Sequence, residues 1–171
     1  MGKEMEQFYK SPDELAGLLE KWFLKYHGIE KSAVTGGETF TLFDLLQAER
    51  QQKLLNRIKL NRHEIPVLVL AVTEEEAIIN TTDRFIRLSE TTVESLAYAD
   101  FGGHRGFQSI ADLKMAGSLK TAGSIIPFRL NRRNGEVVDW PVPTGAPGFA
   151  FWNVTKHCER IGRRYILKTG E

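Results

Sequence analysis

The chain has 171 residues, 42% hydrophobic and 26% charged, with a net charge of +1 and one cysteine, Cys158. That length supports a sizeable core, while the near-zero net charge argues against a general nucleic-acid binder. A lone cysteine excludes an internal disulfide framework and any multi-cysteine metal site, and it suits a reducing, cytoplasmic compartment.

Residues 1–6 are charged and lack the apolar stretch of a signal peptide. The longest apolar run, Ile65 to Val72, is too short to span a bilayer. Asn80 and Asn153 each open an Asn-X-Thr triplet, read as chance without a secretory signal. Charge is uneven: residues 64–100 carry eight acids and two bases, and residues 125–171 carry eight bases and four acids. Scatter over a solvated surface is the preferred reading of that asymmetry.

Ser11-Pro12-Asp13-Glu14 is a helix start, with a capping serine, a proline at the first helical position and a glutamate that completes a capping box. Leu15, Leu18, Leu19, Trp22, Phe23 and Tyr26 follow helical spacing, and Gly28 is a natural stop. Residues 32–39, with Gly36-Gly37, read as a loop. Thr41, with Asp44 three residues on, predicts a second helix over residues 42–59, carried by Leu42, Leu45, Leu46, Leu54, Leu55 and Ile58. Its middle, residues 49–53, is polar all round, which predicts exposure or contact with another chain.

From Ile65 the period changes. Residues 65–72 predict a buried strand, Glu74 to Glu76 its turn, and residues 77–80 and 84–88 two further strands around Thr81-Thr82-Asp83. Residues 91–98 predict another. Residues 101–123, rich in glycine, predict loop with room for one more strand. Asn134-Gly135 sits between residues 125–130 and 136–142 and marks a hairpin. Prolines 141, 143 and 147 end the sheet region. A final helix then places Phe151, Val154, Cys158, Ile161 and Tyr165 on one side, and Lys156, Arg160, Arg163 and Arg164 on the other.

Residues 77–88 (AIINTTDRFIRL) followed by residues 94–101 (ESLAYADF), the Asn134-Gly135 hairpin and the closing helix resemble the bacterial pleckstrin-homology-like (PH-like) domains over residues 65–165. That resemblance implies an α+β fold: an antiparallel barrel or curled sheet, one mouth capped by the C-terminal helix. Two N-terminal helices would precede it, giving an extension over residues 1–62 and a PH-like domain over residues 63–171. Members of the family bind phosphoinositides, peptides or protein surfaces. Phosphoinositide-binding members carry Lys and Arg in the loop after the first strand. Here that turn is Glu74-Glu75-Glu76, whose carboxylates would repel a phosphorylated head group.

Candidate sites are weak. Gly102-Gly103-His104-Arg105-Gly106 has the composition of an anion nest, but a surface loop is the preferred reading. Trp140, near Phe149, Phe151 and Trp152, would line an apolar pocket or seal the seam between last helix and sheet, the seam being commoner. Arg129, Arg132 and Arg133 join the basic helix face of Lys156, Arg160, Arg163 and Arg164 as a surface for an acidic partner or anionic lipid, against the commoner solvated face. His27, His63, His104 and His157 lack metal-ligand spacing. Cys158 lies on the presumed core face of its helix, with His157 pointing elsewhere, and the carboxylate pair Asp100 and Asp112 needs geometry to judge.

The preferred function is a non-enzymatic binding or adaptor domain without cofactor. Its partner would be a protein, a second copy included, with no specific nucleic acid and no membrane. One alternative is a small-molecule receptor or enzyme using the open end of the barrel, with His104, Arg105, Trp140, Arg132 and Arg133 around the ligand. Another is peripheral membrane attachment through the basic last helix.

Overall fold

The computed structural model describes residues 9–107 and 124–166. Helix α1 (Pro12–His27) begins as its sequence dictates: Ser11 Oγ accepts from the Glu14 amide at 3.2 Å, and the Glu14 carboxylate accepts from the Ser11 amide at 3.4 Å. Gly28 closes it in the left-handed conformation.

Five antiparallel strands follow as a meander, β1 (Phe40–Leu42), β2 (Pro66–Ala71), β3 (Ala77–Thr81), β4 (Arg84–Leu88) and β5 (Val93–Ala97). The register aligns Leu68, Asn80, Phe85 and Leu96 across β2 to β5, and Thr41, Val69, Ile79 and Ile86 across β1 to β4. Alternation sends these two rows to opposite faces. The inner row joins the main core with Leu15, Leu19 and Phe23 of α1. The outer row builds a second cluster with Phe43 and Leu46. Burial on both faces explains why residues 65–72 read as a continuous apolar run.

The second predicted helix is largely replaced. Residues 40–42 are strand β1, residues 43–45 a 3₁₀ turn, and only Ala48–Leu55 is helical (α2). Leu42 satisfies a helical period, but as a strand it pairs with Leu68, and Phe40 pairs with Leu70. Pairing with β2 buries all three residues of β1, which a solvent-side helix would not. Leu54, Leu55 and Ile58 then pack on the outer face of the chain's own sheet. Of the polar residues 49–53, Glu49, Gln52 and Lys53 are exposed, whereas Arg50 and Gln51 are half-buried and Gln51 donates to the Asp44 and Leu46 carbonyls. The β1–β2 ladder and the contact of α1 with the last helix cross the expected boundary at residue 62.

A 3₁₀ turn (Tyr98–Asp100) leads to a second antiparallel sheet, β6 (Phe101–Phe107), β7 (Ile125–Arg132) and β8 (Val137–Pro143). The further strand expected after residue 101 is β6, with register breaks at Gly103 and Gly106, both at positive φ. Asp112 and the rest of residues 108–123 lie outside the described residues. The Asn134-Gly135 turn joins β7 to β8 as expected, Gly135 taking φ 94°.

The fold is therefore mixed α+β, with two antiparallel sheets and a C-terminal helix, but the expected barrel does not close. Among the described residues no ladder joins β5 to β6 or β1 to β8. Pro141 and Pro143 remove two of the backbone donors that a further strand beside β8 would need. A side-chain bond from Trp140 Nε1 to Glu94 Oε2 at 2.9 Å connects β8 to β5 instead.

The closing helix is split into α3 (Ala146–Thr155), α4 (Cys158–Ile161) and a π-helical turn (Gly162–Ile166). Phe151, Val154, Cys158 and Ile161 are buried as expected, and Tyr165 is half-buried. They fill the space between the two sheets and α1. Among the described residues no helix is long and apolar enough to cross a membrane.

Candidate functional site

The residues singled out in the sequence do not converge. The His104 ring sits between Phe101, Phe128 and Phe151, its Nδ1 sealed from solvent. Arg105 is exposed on β6. Trp140 is 2% exposed and belongs to the core. Phe107, Phe128, Phe149 and Trp152 form the aromatic seam beside it.

Arg133 donates to the carbonyls of Ala99 and Glu159 and to the Glu159 carboxylate, tying the β7–β8 turn to α4. Arg129 forms a two-pronged pair with Asp139, and Arg132 lies 3.9 Å from Glu136. On the last helix Arg163 is paired with Glu159, while Lys156, Arg160 and Arg164 are exposed. Four of these seven basic residues are thus committed to ion pairs inside the molecule.

Three groups inside the fold depart far from ordinary titration, burial raising the Tyr98 hydroxyl well above its usual range. Burial alone pushes His104 down to about 3, and burial pushes the Cys158 thiol up to about 12 against opposing bonds from Tyr98 and Asn80. Among the described residues no group of three or more His, Cys, Asp or Glu could hold a metal ion.

The open surface lies elsewhere. Helix α2 packs Leu54 and Leu55 on the outer cluster of the first sheet, and the surface opens beside it at the β1–β2 end. A cleft of about 620 Å³ forms there. Thr41, Val69 and Ala71 make its floor. Leu46 and Arg50 form one wall, and Pro143, Thr144 and Pro147 at the β8–α3 junction form the other. Beside it lies an apolar recess of about 160 Å³, lined by Phe23, Ile29, Val34, Phe40, Ala146 and Ala150. Glu38, Thr39 and Pro147 line both and form the ridge between them.

Glu38 is fixed on that ridge. Its Oε1 accepts from the Thr35 amide (3.1 Å), Thr35 Oγ1 (2.8 Å), the Gly36 amide (2.8 Å) and Thr41 Oγ1 (3.2 Å), and its Oε2 from the Thr35 amide at 2.9 Å. Gly36 permits this: it has φ 88°, and a Cβ there would lie 2.0 Å from the Leu45 carbonyl oxygen. Desolvation acts upward on the carboxyl, but the donors outweigh it and hold Glu38 at about 2. His27, which lines the recess, is pushed down by burial against the opposing pull of Glu38, so it is neutral near pH 7. Lys31 is engaged by Glu20 at 2.9 Å and Asp44 at 2.8 Å, which fasten the start of this loop to α1 and to the turn after β1.

The sequence reading gives Glu38 and Thr39 no role beyond a loop and places Arg50 in a polar stretch that is exposed or contacts another chain. The signal for Glu38 was Thr35-Gly-Gly-Glu38, a hydroxyl and a carboxylate three residues apart around two glycines, a pattern that closes a turn on itself. Comparison with known proteins finds no matching family model, no matching curated protein and no matching solved structure.

Proposed function

We propose that the chain is a non-enzymatic binding module of PH-like layout that associates with another protein by seating a segment of it in the cleft over β1 and β2. The observation that carries this reading is the cleft at the β1–β2 end of the first sheet, between α2 and the β8–α3 junction. It is preformed, concave, partly apolar and rimmed by polar groups, as ligand and peptide sites are. The order of elements supports the PH-like part: an antiparallel meander, a corner, a second antiparallel sheet and a final helix packed between the two.

Display of random peptides against the folded chain tests the reading. Thr39 and Thr73 are exposed cleft residues, so a Thr39→Arg/Thr73→Arg variant blocks the cleft with little disturbance of the core. An enriched peptide family that binds the parent and not the double variant supports the proposal. No enrichment, or equal binding by both, overturns it.

A further inference from the structure

Resting on the binding role proposed above, we infer that the seated segment carries a lysine or arginine next to an apolar side chain. The cation meets Glu38 Oε2 on the ridge, and the apolar group enters the recess beside Phe23, Phe40 and Ala150.

The two oxygens of Glu38 are unequally used. Oε1 takes four donors, whereas Oε2 takes one and retains lone-pair capacity for a cation. The carboxylate is already immobilised by its own loop, so engaging it costs little further side-chain order. Lys31 is held by Glu20 and Asp44 rather than by Glu38, and burial pushes His27 toward its neutral form.

Among the described residues, the charged ones lining the two cavities are Glu38, Glu74 and Arg50. Both acids belong to the β1–β2 end, and Arg50 stands on the α2 wall. A ligand cation is therefore favoured on the ridge and disfavoured at the α2 side, which gives the segment a direction. The recess holds about 160 Å³. An apolar void of about 150 Å³ accepts a molecule the size of benzene, so an aliphatic side chain or a single ring fits. Complementarity of this kind sets selectivity more than raw affinity.

The test compares synthetic peptides from the enriched family with lysine or norleucine at the basic position, titrated at low and at high salt. Lysine peptides are expected to bind about tenfold more tightly, the scale of one charge-assisted hydrogen bond, and added salt should erase that margin. Glu38→Gln should bind both peptides alike. The lysine-to-norleucine comparison on the parent chain holds whether or not Glu38→Gln disturbs its loop. If the enriched peptides carry no cation, or norleucine binds as well as lysine while Thr39→Arg still blocks, the cation inference fails and the binding role stands. If no peptide binds at all, both fail.

Discussion

His104 Nε2 lies 2.7 Å from Thr155 Oγ1, and this contact assigns the protonation of a half-buried ring packed among phenylalanines. Thr155 Oγ1 stands 2.6 Å from the Phe151 carbonyl and spends its single proton there. It must therefore accept from His104, which places the imidazole proton on Nε2 and leaves Nδ1 as a bare lone pair. Nδ1 is buried and has no hydrogen-bond partner among the described residues. Phe85, Phe101, Phe128 and Phe151 surround the ring. Protonation would put a charge and an N–H without an acceptor into that cage.

Stability should therefore fall with acid well above the carboxylate range. The folded-state pKa of His104 is about 3, against an ordinary 6.5. Between those values the unfolded chain binds a proton that the folded chain refuses. Stability is complete above pH 6.5 and is lost as pH falls, at up to about 1.4 kcal/mol per pH unit. His27 and His157 are also lowered by burial and add smaller contributions of the same sign. Urea midpoints measured from neutral pH downward should show the slope in the parent and a much flatter line in His104→Leu. Equal slopes would assign the effect to other groups.

The same substitution should have opposite signs at two helical glycines. Gly17 is exposed in α1 and a Cβ there meets nothing within 4 Å, so Gly17→Ala should stabilise by about 0.5–1 kcal/mol through helix propensity. A Cβ on Gly162 would lie 1.7 Å from the Tyr98 carbonyl oxygen, so Gly162→Ala must push the C-terminal helix off the corner that leads into β6. A loss of about 1–3 kcal/mol follows from such overpacking. Thermal denaturation of the two variants checks both signs.

Cys158 should be silent in the native protein. It is buried against Asn80 Nδ2 at 3.8 Å, and its thiol is pushed up to about 12, so almost no thiolate exists at neutral pH. Labelling by a thiol-specific disulfide reagent should proceed only through opening of the fold. Its rate should accelerate in variants that lower stability, such as Tyr98→Phe, which deprives the Thr81 carbonyl of a buried donor. Fast labelling of the intact parent would contradict this.

Strands β2 to β5 and the β7–β8 hairpin were legible because their signals are local: β-branched runs, polar turns and an Asn-Gly pair that tolerates positive φ. The N-terminal cap of α1 was legible for the same reason, since Ser11 and Glu14 satisfy each other. What was not legible depends on distant partners. Residues 40–42 carry a helical period and become a strand only because β2 lies beside them. Gly103 and Gly106 read as loop, yet they bend an edge strand around the last helix. Glu38 matters through a ridge between two cavities that arises only when the β8–α3 junction is placed against β1. Of the predicted ligand residues, His104 and Trp140 both pack on Phe85, and Arg133 ties a turn to α4, roles set by partners distant in sequence.

Arg84 should prove more costly to remove alone than together with its partner. The Glu64 side chain is fully buried, and it accepts from Arg84 Nε at 2.9 Å, from Arg84 Nη2 at 3.2 Å, from Thr81 Oγ1 and from the Asn61 amide at 2.8 Å. Burial acts upward on its pKa, but these donors outweigh it and hold the carboxylate below its ordinary value. Arg84→Met leaves that charge buried with no cation, a change that typically costs about 3–5 kcal/mol. Glu64→Gln on the same background removes the stranded charge and should restore a substantial part of the loss. A double-mutant cycle by urea denaturation reads the coupling directly. The single Arg84→Met loss should also shrink as pH falls and Glu64 takes up a proton, whereas a pair that contributed only packing would show no such pH dependence.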